Sequence, residues 1–127
     1  MVQSFNPTQP IYLQILQRIC RQVVRGELKA GDKLPSVRDM ALQAGVNPNT
    51  VQRVYTELER LEIAETRRGL GSFITENEAR LKQLREDLKS EQISSFIADM
   101  EETGFSPEEI LEGVRKDLFN NKGGRGV

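Results

Sequence analysis

Apolar residues recur along this chain at helical spacing in five stretches and in short β-branched segments in one region. The first stretch opens at Pro10, where Ile11, Ile15, Leu16, Ile19, Cys20 and Val23 alternate with Gln14, Gln17, Arg18, Arg21 and Gln22, the pattern of an amphipathic helix. Gly26 ends it. Before it, Met1–Gln9 reads as a polar, extended arm. After it, Lys29-Ala30-Gly31-Asp32-Lys33 is expected to turn, with Leu28 and Leu34 packing on either side.

The pattern becomes most informative from Leu34 to Leu61. Pro35 holds the preceding residue extended, Ser36 is an N-cap, and Asp39 three residues on completes a Ser-x-x-Asp version of the capping box. Val37, Met40, Ala41 and Ala44 repeat at helical spacing and predict a short helix with one buried face. Gly45 sits where that helix must stop and the chain must turn. Asn47 then caps a second helix with Pro48 at its first position, where a missing N–H costs nothing. Val46 and Val51 occupy the two positions of a hydrophobic staple. The result is two helices joined by a tight turn.

The second helix, 48–61, has two faces. At about 100° per residue, Val51, Val54, Tyr55, Leu58 and Leu61 fall together, while Asn49, Arg53, Thr56 and Arg60 point the other way with Thr50 and Gln52 on the flanks. The exposed start of the helix thus carries amide, hydroxyl and guanidinium groups and no acid. Those groups hydrogen-bond base edges and phosphates in a major groove. On an isolated helix such a face is merely solvated; on a capped helix–turn–helix it points to nucleic acid.

Beyond Leu61 the pattern changes. Ile63-Ala64-Glu65-Thr66 and Ser72-Phe73-Ile74-Thr75 predict two strands around Arg67-Arg68-Gly69-Leu70-Gly71, a hairpin with a basic tip. A hairpin directly after a recognition helix is a wing. From Glu76 to Glu102 no proline or glycine interrupts the chain, and one long helix is expected. Its apolar stripe runs through Leu81, Leu84 and Leu88, then shifts phase to Ile93, Phe96, Ile97 and Met100. Gly104 ends it, and Ser106-Pro107-Glu108-Glu109 starts another helix, with Ile110, Leu111, Val114, Leu118 and Phe119 at helical spacing. Residues from Asn120 to Val127 read as a frayed tail.

The fold class expected is therefore mainly α with a small β-hairpin wing. Residues 1–75 form a winged helix–turn–helix, and residues 76–127 form a two-helix segment with a disordered tail. The two C-terminal helices cannot bury their apolar faces alone. They fold back on the winged domain or pair with a second copy; the second is favoured, because a two-fold dimer places two recognition helices on successive half-sites. The residues assigned to that dimer seam are Leu81, Leu84, Leu88, Ile93, Phe96, Ile97, Met100, Ile110, Leu111, Val114 and Leu118.

Charge sharpens this division. The overall net charge of −1 gives no hint of nucleic acid, but residues 1–75 carry net +3 and residues 76–127 carry net −4. That asymmetry suits a basic binding module joined to an acidic segment that stays off DNA. With 127 residues, the chain is long enough for one compact domain plus an appendage. It has neither an apolar run near the roughly 20 residues needed to span a bilayer nor a signal-peptide pattern, so a cytoplasmic, nucleoid-associated protein is expected. The lone Cys20 occupies an apolar helix slot and reads as a small buried hydrophobe.

Enzyme chemistry finds no support. Histidine is absent, one cysteine cannot build a thiolate cluster, and no phosphate-binding glycine loop is present. No cofactor or metal is expected. The carboxylate pairs Glu101-Glu102 and Glu108-Glu109 diverge on a helix and serve capping or solvation. Two other readings remain: a winged helix that binds protein instead of DNA, and a non-specific architectural DNA binder.

The motifs from Pro10 to Thr75 resemble the winged helix–turn–helix domain of the GntR family of bacterial transcription regulators. They are Pro10-Ile11-Tyr12-x-Gln14-Ile15, Gly26-x-Leu28-x-x-Gly31-x-x-Leu34-Pro35-Ser36-x-Arg38, Ala41, Gly45-Val46-Asn47-x-x-Thr50-Val51, Tyr55-x-x-Leu58 and Arg67-x-Gly69-x-Gly71-x-Phe73. Asn47-Pro48-Asn49-Thr50-Val51 and the short C-terminal part look most like the YtrA subfamily, whose members lack a large effector domain. The resemblance implies a homodimeric repressor of double-stranded DNA operators, typically beside ABC transporter genes.

It also implies roles. The arginine matching Arg38 contacts DNA. Pro48, Asn49, Thr50, Gln52 and Arg53 match the part of the recognition helix where base and phosphate contacts concentrate, and Arg68 and Gly69 match the wing tip, which approaches the minor groove or its phosphates. Some relatives carry an arginine at the position of Pro48, and proline cannot donate the bond that arginine makes. Arg38, Arg67 and Arg68 are expected to supply salt-dependent affinity, and Asn49, Thr50, Gln52 and Arg53 sequence preference. A small-molecule effector is left open.

Overall fold

The computed structural model describes residues 5–120. The elements run α1 (Ile11–Arg25), α2 (Val37–Ala44), α3 (Pro48–Arg60), β1 (Ala64–Arg67), β2 (Gly71–Ile74), α4 (Glu78–Thr103) and α5 (Pro107–Asn120). They form two compact units, one ending at Glu86 and the other beginning at Asp87, so that α4 contributes its first turns to one unit and the remainder to the other. Asn120, expected to open the tail, is the last residue of α5; the rest of that tail and the first four residues of the arm lie outside the described residues.

The first unit is a winged helix. The faces that the periodicity singles out on α1 and α3 pack together: Ile15, Ile19, Val51, Val54, Leu58, Ile63 and Ile74 are among its most deeply buried side chains. Cys20 is buried in the same core. Each terminus follows from local chemistry. Ser36 Oγ accepts the Asp39 amide at 3.0 Å, Asn47 Oδ1 accepts the Asn49 amide at 2.7 Å, and Gly26 and Gly45 end α1 and α2 in the left-handed region. At the end of α3 the amide of Glu62 bonds Glu59 and that of Ile63 bonds Leu58, a Schellman turn. It places the non-glycine Glu62 at φ 63°.

The hairpin register is Ala64↔Ile74, Glu65↔Phe73, Thr66↔Ser72 and Arg67↔Gly71. The strands lie one residue off those expected at Ile63–Thr66 and Ser72–Thr75, because Arg67 joins the ladder and the loop shrinks to Arg68-Gly69-Leu70. The stretch expected only as a turn also does more. Gly31 and Leu34 donate amides to Ile74 and Ser72, and Ile74 donates to Asp32, so residues 31–34 pair along the outer edge of β2.

The polar arm is tied down by a buried amide. Gln14 accepts the Asn6 amide at 2.7 Å and donates to the carbonyls of Asn6 and Gln9 at 2.6 and 3.0 Å. A buried side-chain amide satisfied on both ends is the arrangement that makes its desolvation tolerable.

Of the residues assigned from the sequence to a dimer seam, Leu84 belongs to the winged unit's own core and Leu81 packs against it. A stripe at helical spacing specifies burial but not the partner. The root of α4 is further fastened by Arg80, which donates to the Leu61 carbonyl at 2.8 Å, and by Arg85, which donates to the Val24 carbonyl at 3.1 Å.

In the second unit, Gly104 at φ 103° reverses the chain between α4 and α5. Ser106 and Glu109 make a reciprocal capping box, each side chain accepting the other's amide at 3.1 and 3.0 Å. Ile110 is buried, Met100 and Val114 are half-buried, and Ile93, Phe96, Ile97, Leu111, Leu118 and Phe119 are exposed. No helix among the described residues is long and apolar enough to cross a membrane.

Candidate nucleic-acid interface

The helix–turn–helix is built so that the start of α3 is presented on a rigid support. Val46 packs against the core one residue before the Asn47 cap, and Val51 is fully buried one turn into the helix, as a staple requires. The Tyr55 hydroxyl donates to the Pro35 carbonyl at 2.7 Å, pinning the chain entering α2 to the middle of α3. Burial pushes this phenol up to about 12, so it stays a neutral donor across the physiological range.

On this support Pro48, Asn49, Gln52, Arg53 and Thr56 are exposed and Thr50 is half-buried at the flank. The Gln52 amide lies 3.4 Å from the Thr56 hydroxyl, at the long limit of a hydrogen bond. Arg38 is exposed in the first turn of α2. The neighbours of Arg38, Val37 and Asp39, line one open cleft with Leu70, Gly71 and Ser72 of the wing. The start of α2 and the wing therefore border a common depression.

The acidic residues of α3 sit beyond its first turn, and the one nearest Arg53 is engaged. Glu57 takes the guanidinium of Arg60 at 2.9 Å, and this hydrogen bonding holds its carboxyl below the usual carboxylate range. The guanidinium of Arg53 lies 3.6 Å above the centroid of the Tyr12 ring, a stacking distance. Among the described residues Arg53 enters no hydrogen bond or salt bridge.

The two wing arginines differ. Arg68 is exposed at the tip beside Gly69, whose φ of 79° makes the turn. Arg67 is braced from three sides. It bonds Glu65 at 3.1 Å and Glu76 at 2.9 Å, and its guanidinium lies 4.2 Å from the Phe73 ring centroid. To reach a phosphate it would have to leave two carboxylates and an aromatic face.

Two partners of this interface were not read from the sequence. Tyr12 appeared only as a motif letter, because nothing local relates a residue of α1 to one of α3. The bracing of Arg67 had a legible half: Glu65 and Arg67 share a strand face at period two, and Phe73 stands opposite Glu65. The Glu76 half needed the hairpin register.

Comparison with known proteins settles the family. The model of "Bacterial regulatory proteins, gntR family" matches residues 11–74. This chain belongs to the GntR family. It is 50% identical over 115 residues to the uncharacterized HTH-type transcriptional regulator YhcF of Bacillus subtilis, covering 91% of this chain and 95% of that protein. It is 40% identical over 117 residues to the HTH-type transcriptional repressor YtrA of the same organism, covering 91% and 90%. Among solved structures, a GntR family transcriptional regulator from Listeria monocytogenes superposes with TM-score 0.82 at 43% identity, over 88% of this chain and 98% of that one. The GntR chain described here is thus a DNA-binding helix–turn–helix regulator of transcription and not an enzyme.

Proposed function

We propose that this GntR protein is a homodimeric repressor of a near-palindromic operator. The start of α3 enters the major groove, and the wing lies on the minor groove or its backbone. Arg38 and Arg68 neutralise phosphates; Asn49, Thr50, Gln52 and Arg53 read base edges. The observation that carries the reading is the capped, acid-free start of α3, in a helix–turn–helix unit that also exposes Arg38 and a basic wing tip. Repression is supported by the repressor at 40% identity over nearly the whole chain. Control of its own operon together with ABC transporter genes follows from the likeness to the YtrA subfamily.

In this reading residues 1–75 bind DNA and residues 76–127 dimerise, with α4 rooted in the winged unit through Leu81 and Leu84. The exposed Ile93, Phe96, Ile97, Leu111 and Leu118 support the dimer, since a two-helix hairpin that leaves so much hydrocarbon in water is stabilised by a second copy. Leu88, Met100, Ile110 and Val114 back the same surface. An effector is a further part of the proposal only as a class: a small molecule that shifts the two half-sites.

The test is a titration of the purified protein against a labelled duplex from upstream of its own gene, beside a scrambled duplex of equal length, at two salt concentrations with solution mass measured in parallel. Tight, salt-sensitive binding to the first duplex alone by a species of twice the chain mass supports the reading. Equal weak binding to both duplexes, unchanged when a pool of random sequences is selected against the protein, overturns it.

A further inference from the structure

We propose that Tyr12 of α1 is a positioning residue for Arg53, holding the guanidinium of the recognition helix in place before DNA arrives; this deepens the operator reading above and rests on it. Three observations converge. The guanidinium stands 3.6 Å above the Tyr12 ring centroid, the separation of a parallel stack. The only carboxylate one helical turn away on the same face, that of Glu57, is occupied by Arg60. The platform is anchored: Tyr12 lies in the first turn of α1, half-buried and packed against the core, and Gln14 two residues on ties the arm to the helix start.

A guanidinium stacked by its face keeps its N–H donors in the plane of the group, directed outward from its edge. Such an edge forms the fork that pairs with a purine base. An arginine on a bare helix surface would lose rotamer freedom on meeting DNA. Here the aromatic stack restricts that freedom in advance, so less is lost when the contact forms. The effect should appear as discrimination at the base pair that Arg53 reads, not as general affinity. Tyr12 supplies its ring and not its hydroxyl.

The experiment uses the full-length protein and the sequence it selects from a random duplex pool. Arg53→Ala identifies the base position whose preference depends on that arginine. Tyr12→Leu is expected to lower discrimination at that same position about two- to five-fold, the range of an exposed cation–π stack, and to leave other positions unchanged. Tyr12→Phe should retain it. In the Arg53→Ala background Tyr12→Leu should add nothing. A uniform loss at all positions, an additive double variant, or loss in Tyr12→Phe would each overturn the proposal.

A second readout needs no DNA. Proton NMR of the wild-type protein should show the Arg53 side-chain protons shifted upfield by the ring, with the shift lost in Tyr12→Leu and kept in Tyr12→Phe. Unshifted protons would overturn the stack even where operator binding holds. A wild-type protein that selects no sequence, yet shows the ring shift, would sink the operator reading instead, and with it the role assigned to Tyr12.

Discussion

In the winged unit Val51, Val54, Leu58, Ile63 and Ile74 have no exposed surface, whereas in the helical unit Leu111 is 63% and Phe119 67% exposed. The two units use the same residue types at the same helical spacing. What differs is the number of elements that converge: in the first, α1, α2, α3, the hairpin and the root of α4 enclose a core; in the second, one helix meets one helix. Each unit accordingly leaves something unsatisfied. The winged unit leaves Arg38 and Arg68 exposed and the edge of the stacked Arg53 free to bond, and the helical unit leaves hydrocarbon. The first calls for a polyanion and the second for another apolar surface.

The sharpest way to break this contrast is to charge the helical unit's surface. Phe96 and Leu118 line one apolar depression between α4 and α5, together with Met100 and Ile110. The double variant Phe96→Glu/Leu118→Glu is expected to halve the solution mass. It should weaken operator binding by about 100-fold or more, because the second half-site contact stops being intramolecular. Hydrogen exchange in the winged unit should remain native. A variant that stays dimeric would place the dimer seam elsewhere.

Next in size is a matched pair of truncations. Leu58→Ala opens a cavity in a filled core and should cost about 2–5 kcal/mol in denaturant unfolding of the winged unit. Leu111→Ala removes a side chain already in water. Within one chain it should cost under about 0.5 kcal/mol, with its effect appearing in the dimer dissociation constant instead. Similar unfolding costs at the two positions would show that Leu111 is covered within its own chain.

The same contrast explains what could be read from the chain before its structure. Helix starts and stops were legible in both units because they are local: Ser36, Asn47 and Ser106 cap within three residues, and Gly26, Gly45 and Gly104 reverse within one. The exposed face of α3 was legible because its buried side obeys one period. The destination of a stripe was not. Leu81 and Leu88 are indistinguishable in spacing, yet Leu81 lies against the winged core while the phase shift after Leu88 hands the rest of α4 to α5. Pairing of residues 31–34 with β2, the Tyr12–Arg53 stack and the Glu76–Arg67 bridge all join segments far apart in sequence, and no local rule reports them.

Caps test the comparison at smaller scale. Ser36→Ala and Ser106→Ala each remove an acceptor for one helix-terminal amide, worth about 1 kcal/mol. The losses should surface in different observables. Ser36→Ala should lower winged-unit stability and operator affinity together, since Arg38 sits two residues into the helix it caps. Ser106→Ala should weaken dimerisation and leave a monomeric winged unit's melting unchanged. If both variants change the same observable, the units do not fold independently.

The smallest expected difference lies within the wing, between neighbouring arginines. Exposed Arg68 can neutralise a phosphate at no internal loss, so Arg68→Ala should lower the slope of log affinity against log salt by about one. Arg67 already faces Glu65 and Glu76, and its charge is compensated before DNA arrives. Arg67→Ala should therefore leave the salt slope nearly unchanged, while loosening the hairpin it ties to Phe73 and Glu76. A slope loss of one for Arg67→Ala would mean that it exchanges two carboxylates for a phosphate on binding, an exchange that Glu76→Gln should then make easier. With no such loss, the wing presents one cation to DNA and spends the other holding its own shape.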